Sequence, residues 1–386
     1  MKNILCLNKI AAIGTDKLDK TEYNVGTDVQ NPDAIMVRSA AMHDMTFDPN
    51  MLAIARAGAG VNNIPVDRCA KEGIVVFNTP GANANGVKEL AICALMLASR
   101  DVVGGIKWAE TLAGTEGVAK AVEAGKSKFA GVEIKGKTLG VIGLGAIGGL
   151  VANAAVKLGM KVVGCDPFMS VEAAWNMDPQ VVKAATFEDV FKVADYVTLH
   201  VPATADTKGM INADSLAVMK DGVRIINLAR ADLVKAADIK AAIEAGKVAS
   251  YVTDFPTEEV VGVPGIVAIP HLGASTAESE DNCAVMAALE LDDYLRYGNI
   301  KNSVNFPNVS MPFSADHRVC VLHANIPNVI SGVTAALSET GVNIENMINK
   351  SKGDNAYTMV DVTGAVAAAV TEKLAAVEGV YRVRVI

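Results

Sequence analysis

Short, continuously apolar runs rich in β-branched residues recur along the 386-residue chain, most of them separated by Ala-rich stretches. They are AIMVRS (34–39), IVVFNTP (74–80), TLGVIGLG (138–145), KVVGCD (161–166), YVTLHVP (196–202), VRIINLAR (223–230) and GIVAIP (265–270). A strand that is apolar throughout, rather than at every second residue, is buried on both faces, as parallel strands covered by helices are. The pattern predicts an α/β chain built on doubly wound parallel sheets. Most of the runs end in a polar residue or glycine, where ligand sites at the carboxyl ends of parallel strands need them.

Single cores rarely grow past about 250–300 residues, so this length predicts two or three domains. GVKELAICALMLASR (86–100) reads as one long helix able to pass between two lobes, and the Asn-, Ser- and Pro-rich stretch 299–317 reads as a linker. Beyond it the pattern is a strand (318–327), a helix (328–340), strands near 342–351 and 355–362, a helix (366–377) and a strand (380–386). That βαββαβ order predicts a ferredoxin-like unit. The expected division is a discontinuous lobe of residues 1–95 with 277–312, a dinucleotide-binding domain of residues 96–276, and a C-terminal domain of residues 313–386.

Hydrophobic residues make up 51% of the chain and the net charge is −8, which argues against a nucleic-acid partner. No apolar run approaches the roughly 20 residues of a membrane span. The N-terminus MKNILCLNKI enters a strand pattern without a signal-peptide cleavage site, and the six cysteines form no CxxC pair. Both features predict a cytoplasmic protein with reduced thiols. The five histidines form no ligand cluster in sequence, so no metal is expected.

Gly143-Leu144-Gly145-Ala146-Ile147-Gly148 follows the run TLGVI and opens a helical stretch. With 33 glycines in 386 residues, such a spacing arises by chance about one time in four, so the context must carry the argument. The next strand, KVVGC, ends at Asp166, where a carboxylate can accept hydrogen bonds from the adenosine ribose. The glycines allow a tight turn, and the helix N-terminus offers free N–H groups to a pyrophosphate. Asp166 would repel the 2′-phosphate of NADP, and its neighbours Cys165, Pro167 and Phe168 bring no cation. NAD is therefore the expected cofactor.

Three later strand ends carry Arg230, Glu258 (FPTEE) and His271 (IPHLGAST). Oxidation of a 2-hydroxy acid needs a base for the hydroxyl proton, and imidazole titrates in the right range. A carboxylate can orient that imidazole, and a guanidinium can grip the substrate carboxylate through two hydrogen bonds.

The segments GAGVNNI (58–64), NTPGANANGVKELAICALMLASR (78–100), GKTLGVIGLGAIG (136–148), LHVPAT (199–204), INLAR (226–230), FPTEE (255–259) and PHLGAST (270–276) closely resemble the D-isomer-specific 2-hydroxyacid dehydrogenases. The resemblance implies Arg230 as ligand of the substrate carboxylate, Glu258 as partner of the histidine and His271 as proton donor and acceptor. It also implies that Ala59, Gly60 and Asn83 face substrate. His200, Pro202, Thr207, Ala229, Asp254 and Gly273 fall where cofactor contacts are expected, beside Gly143, Gly145, Ala146, Ile147, Gly148 and Asp166. The chain departs from the family pattern at Ala231, where glycine is usual, at Thr253, where the nicotinamide-facing aspartate is usual, and at Glu259, where proline is usual.

Arg38 and Arg56 close the AIMVR strand and precede the GAGV turn, a placement that suits a second anion, naturally phosphate, on the substrate. The C-terminal unit resembles an ACT domain, a regulatory fold of amino-acid biosynthesis. That resemblance implies a serine site between paired domains, formed by His323, Asn325 and Asn343, the last brought by the ferredoxin-like arrangement beside the end of the first strand, although Asn328 replaces a usual glycine nearby. The alternative is a dimerisation module without a ligand. Together these readings imply NAD-dependent oxidation of D-3-phosphoglycerate, the first step of phosphorylated serine synthesis, by a homodimer or homotetramer. Other 2-hydroxy acids (hydroxypyruvate, glyoxylate, lactate, 2-hydroxyglutarate) and a non-catalytic NAD-sensing corepressor are the alternatives.

Overall fold

The computed structural model describes residues 1–364, 366 and 368–386. They form two compact units, Met1–Ala82 with Ala277–Ile386, and Asn83–Thr276.

The first unit opens with β1 (Lys2–Leu7), β2 (Tyr23–Gly26), β3 (Ala34–Val37), β4 (Ala53–Arg56) and β5 (Val75–Asn78), all parallel, in the order β2-β1-β3-β4-β5. This is a doubly wound order whose switch point lies between β1 and β3. The AIMV run is buried at every residue of β3, as expected of a strand covered on both faces. The helix Ala277–Tyr297 covers one face, contributing Cys283, Ala287, Leu291 and Tyr294 to a core shared with Ile4, Ala55 and Phe77.

The second unit holds β6 (Thr138–Ile142), β7 (Lys161–Cys165), β8 (Val182–Lys183), β9 (Tyr196–Leu199), β10 (Val223–Asn227), β11 (Val248–Thr253) and β12 (Ile266–Ala268). Its order is β12-β11-β10-β9-β6-β7-β8, parallel throughout, which is the dinucleotide-binding order reversing at β6 and β9. The helix expected over 86–100 spans Ala84–Ser99 and buries Ala91, Ala94, Leu95 and Ala98 against the helix Ala146–Lys157 and the sheet.

The C-terminal strands β13 (His317–Ala324), β14 (Asn343–Lys352), β15 (Asn355–Thr363) and β16 (Val380–Val385) form an antiparallel sheet ordered β14-β15-β13-β16. With the helices Val329–Ser338 and Ala368–Ala375 this is the ferredoxin-like arrangement read from the sequence. Alternation sorts the faces: Val319 and Val321 pack under the helices with Val333 and Leu337, whereas Cys320 and Leu322 join Tyr357 and Met359 in the core built on Phe77 and Tyr294. The sheet is thus packed into the first unit's own core. Arg384 fastens it, donating to the carbonyls of Tyr294 and Leu295 at 2.9 Å, with its guanidinium 4.7 Å from the Tyr294 ring centroid.

The stretch 299–317, expected as a linker, does not hang free. Asn305 is buried and lies along the β5 edge, where its amide donates to Ile74 O and accepts from Val76 N, both at 2.9 Å. Phe306 beside it is fully buried. An asparagine side chain can imitate a strand partner, which is why a polar composition here does not mean solvent. Among the described residues no helix is long and apolar enough to cross a membrane, and every cysteine is a free thiol.

Candidate active site

At the carboxyl end of β6, Gly143 has φ 87°, and a Cβ there would stand 2.6 Å from the His200 carbonyl oxygen. At Gly148 a Cβ would come within 1.9 Å of the Gly143 oxygen, so only glycine lets the helix Ala146–Lys157 approach the turn this closely. Gly145 is the N-cap, where a Cβ would meet nothing within 4 Å. The helix has no side-chain cap and no acidic residue in its first turn. Its leading amides, including those of Ala146 and Ile147, and its positive dipole end are therefore suited to an anion, as a pyrophosphate cradle requires.

Asp166 stands after β7 and accepts Leu144 N at 2.9 Å on Oδ2 and Phe168 N at 2.8 Å on Oδ1. Each oxygen keeps a lone pair for a ribose hydroxyl. The open cradle and this carboxylate fit an NAD molecule, which Gly143, Gly145, Ala146, Ile147, Gly148 and Asp166 would hold. Further along the same sheet end, His200 Nε2 lies 2.9 Å from Thr198 Oγ1, and loss of water around the ring pushes its pKa down to about 4. A neutral His200 is a packing and hydrogen-bonding group, unsuited to acid–base work at neutral pH. Thr207 Oγ1 donates to the Pro202 carbonyl at 2.5 Å and accepts Thr204 N at 2.9 Å, fixing that loop.

Arg230 follows β10, and the residue that sets it is Asn227. Asn227 is fully buried, donates to Arg230 O at 2.8 Å and accepts Ala229 N and Arg230 N at 3.2 and 3.4 Å. The INLAR motif contains this asparagine, but its role came from none of the chemistry sought in the sequence. Ala231 begins a 3₁₀ turn, Ala231–Leu233, and is not among the positive-φ residues, so the usual glycine is not required.

Phe255 neighbours both His271 and Arg230. Its ring centroid is 4.6 Å from that of His271, and the Arg230 guanidinium carbon is 5.9 Å from it. Asp254, which precedes Phe255, is 1% exposed; its Oδ2 accepts Gly273 N at 3.3 Å and its Oδ1 is buried without a partner among the described residues. Burial raises the Asp254 pKa, opposed by the positive charges of His271 and Arg230. Thr253, in the position usual for aspartate, turns its hydroxyl to the Phe255 amide at 3.1 Å. Glu258 and His271 are both exposed, and no hydrogen bond or ion pair joins them among the described residues. Asn83, N-cap of the helix Ala84–Ser99, makes no capping bond with its side chain.

In the first unit, Arg38 and Arg56 lie at neighbouring strand ends, with Arg56 Nε donating to Arg38 O at 3.1 Å. Arg38 Nη2 also meets Glu280 Oε1 at 2.5 Å, a partner that sequence reading missed. Asn78 Nδ2 ties down the turn after β4 by donating to Ala59 O at 2.6 Å. Within that turn the amides of Ala59 and Gly60 have no acceptor among the described residues, which leaves two donors for an oxyanion.

The three C-terminal residues do not converge. His323 pairs with Ala356 and Asn343 with Thr363, at opposite ends of β15, so the two lie at opposite ends of the sheet. The expectation that Asn343 comes beside the end of β13 is corrected by this register: β13 and β14 run in the same direction, and Asn343 starts the one while His323 nears the end of the other. His323 is 2% exposed, with Nδ1 2.7 Å from Ala324 O and Nε2 2.9 Å from Thr358 Oγ1. Asn325 is exposed and donates to Gly353 O at 3.0 Å. Asn328 takes φ 68° itself, a left-handed conformation open to asparagine, so the missing glycine leaves this turn intact.

Residues 106–273 match the family model of the D-isomer specific 2-hydroxyacid dehydrogenase, NAD binding domain. D-3-phosphoglycerate dehydrogenase 1 of Saccharomyces cerevisiae is 32% identical over 340 residues, 81% of this chain and 68% of that one. The Archaeoglobus fulgidus D-3-phosphoglycerate dehydrogenase is 34% identical over 295 residues, 73% of this chain but only 53% of its own length. Among solved structures, the NAD+-bound 3-phosphoglycerate dehydrogenase of Entamoeba histolytica aligns with a TM-score of 0.60 and 26% identity, covering 79% of this chain and 98% of that one. A glyoxylate/hydroxypyruvate reductase of Sinorhizobium meliloti shares the fold, with a TM-score of 0.66 and 21% identity over 79% of this chain and 98% of its own. The chain belongs to the D-isomer specific 2-hydroxyacid dehydrogenases and is an NAD-dependent dehydrogenase of that family.

Proposed function

We propose that the chain oxidises D-3-phosphoglycerate to 3-phosphohydroxypyruvate, the step that opens phosphorylated serine synthesis. The observation that carries the substrate is the pair of arginines, Arg38 and Arg56, at adjacent strand ends, where Arg56 Nε donates to the Arg38 backbone carbonyl at 3.1 Å. Two cationic side chains from adjacent strand ends suit a dianionic phosphate, which a small unphosphorylated hydroxy acid lacks. The names of the curated relatives support the same reading.

In this reading bound NAD supplies the hydride acceptor. Arg230, held by Asn227, grips the substrate carboxylate and polarises the oxygen on C2, and the amides of Ala59 and Gly60 give further donors. His271 takes the hydroxyl proton as hydride leaves C2 and returns it in the reverse direction. Glu258 is assigned to orient the imidazole; such catalytic hydrogen bonds commonly tighten only with ligands in place. Asp254 anchors the loop that carries His271 through Gly273 N. The test is an initial-rate panel of 3-phosphoglycerate, glycerate, lactate, 2-hydroxyglutarate and glycolate with NAD. A preference for any unphosphorylated acid over 3-phosphoglycerate rejects the substrate assignment.

We also propose a serine effector site that needs two copies of the chain. His323 and Asn325 sit at one end of the C-terminal sheet and Asn343 at the other, so a ligand touching all three requires a second C-terminal sheet, in a homodimer or homotetramer. The free thiols suit a reducing compartment, and we assign the protein to the cytoplasm.

A further inference from the structure

Arg38 already has an anionic partner within its own chain. Glu280 lies in the first turn of the helix Ala277–Tyr297, and its Oε1 meets Arg38 Nη2 at 2.5 Å. The two side chains are 42% and 43% exposed, so a solute can reach both. The buried Cys283 follows one turn further along the same helix, and Arg56 Nε donates to the Arg38 carbonyl at 3.1 Å, so Arg56 belongs to the same neighbourhood. The cluster therefore carries two positive charges and one negative one. A second anion on the substrate must compete with Glu280 for Arg38.

We propose that Glu280 is a specificity-determining residue: its carboxylate occupies the place of the substrate's second anionic group and is displaced from Arg38 when a phosphorylated substrate binds. This rests on the reading of Arg38 and Arg56 as the phosphate subsite. A 2-hydroxy acid without a second anion leaves the Arg38–Glu280 pair intact and gains nothing from it. Breaking an exposed ion pair is cheap, so the displaced partner costs little by itself. The larger effect is repulsion between the displaced carboxylate and the arriving dianion, only a few ångströms apart at an effective dielectric constant between those of protein surface and water. Glu280 thus lowers the affinity for a phosphorylated substrate and keeps Arg38 from trapping inorganic phosphate.

The experiment compares the intact enzyme with Glu280→Gln, Glu280→Ala and Arg38→Ala, measuring kcat and KM on 3-phosphoglycerate and on glycerate, and competitive inhibition by inorganic phosphate. Both Glu280 variants should raise the ratio of kcat/KM for 3-phosphoglycerate over glycerate by about tenfold, through KM rather than kcat. Inhibition by phosphate should tighten in parallel. Arg38→Ala should lower the same ratio. If Arg38→Ala lowers it while both Glu280 variants leave it and phosphate inhibition unchanged, the subsite stands and the role of Glu280 is overturned. If Arg38→Ala weakens both acids equally, the subsite reading fails and the proposal falls with it.

Discussion

The Phe255 ring lies against the His271 imidazole, centroids 4.6 Å apart and planes tilted by 45°, while its other neighbour is the Arg230 guanidinium at 5.9 Å. One aromatic ring thus contacts both the proposed base and the proposed carboxylate ligand. An aromatic contact of this kind is worth about 0.5–1.5 kcal/mol beyond burial. Phe255→Ala should therefore lower kcat by roughly three- to tenfold with NAD affinity nearly unchanged. A variant with normal kcat would show that the ring positions neither group.

Asp166 holds the fingerprint turn through Leu144 N and its own loop through Phe168 N, and each oxygen keeps a lone pair that a ribose hydroxyl could use. Asp166→Ala should raise KM for NAD by about ten- to a hundredfold, the loss of charge-assisted hydrogen bonds, and narrow the preference over NADP. Steady-state kinetics with both cofactors measures this. Equal use of NAD and NADP by the unmutated enzyme would remove the basis for Asp166 as discriminator.

Glu290 gives a pH-dependent stability with a definite sign. It is 8% exposed, Asn302 donates to its Oε1 at 2.7 Å, its Oε2 has no partner, and burial lifts its pKa from 4.5 to about 8. Between those values the unfolded chain has lost the proton and the folded chain keeps it, so stability falls as pH rises from 4.5 to 8. The penalty is complete above 8 and on the order of a few kcal/mol. Glu290→Gln, which keeps an acceptor for Asn302, should raise Tm at pH 8 and flatten its slope between pH 5 and 8. Parallel Tm–pH curves for both proteins would refute this account of Glu290.

Serine inhibition cannot be tested cleanly by removing residues 313–386, because Cys320, Leu322, Tyr357 and Met359 share a core with Phe77 and Tyr294. Point changes serve better. Asn325 and Asn343 are exposed, so Asn325→Ala and Asn343→Ala should leave Tm within about 1 °C and weaken serine inhibition roughly fivefold or more. His323→Ala, at a buried ring with both nitrogens engaged, should lower Tm as well. Serine titration of each variant decides; unaltered inhibition in both asparagine variants removes the effector site.

Local patterning carried the reading a long way. The apolar runs became parallel strands, most of them buried although β12 at the sheet edge is only half-buried, and the βαββαβ order of residues 318–386 was legible to within a few residues because each element has its own periodicity. The fingerprint glycines and Asp166 were legible because one strand–turn–helix contains their whole geometry. What escaped was long-range: Glu280 finds Arg38 across 242 positions, and Asn305 pairs with Ile74 across 231. The placement of Asn343 failed for a related reason, since sheet register, invisible in either strand alone, decides which strand end it faces. Asn227 was hidden differently, within a motif already noticed, because a buried amide that shapes a turn has no chemistry of its own to announce it.

The central claim is that His271 moves the proton in an NAD-dependent oxidation of a 2-hydroxy acid. The direct measurement is the initial rate of NADH formation from 3-phosphoglycerate by the unmutated enzyme and by His271→Ala, with NAD affinity determined for both. Loss of a general base should cut turnover by about 10²- to 10⁴-fold while NAD still binds nearly as tightly. Turnover by His271→Ala equal to that of the unmutated enzyme would contradict the account.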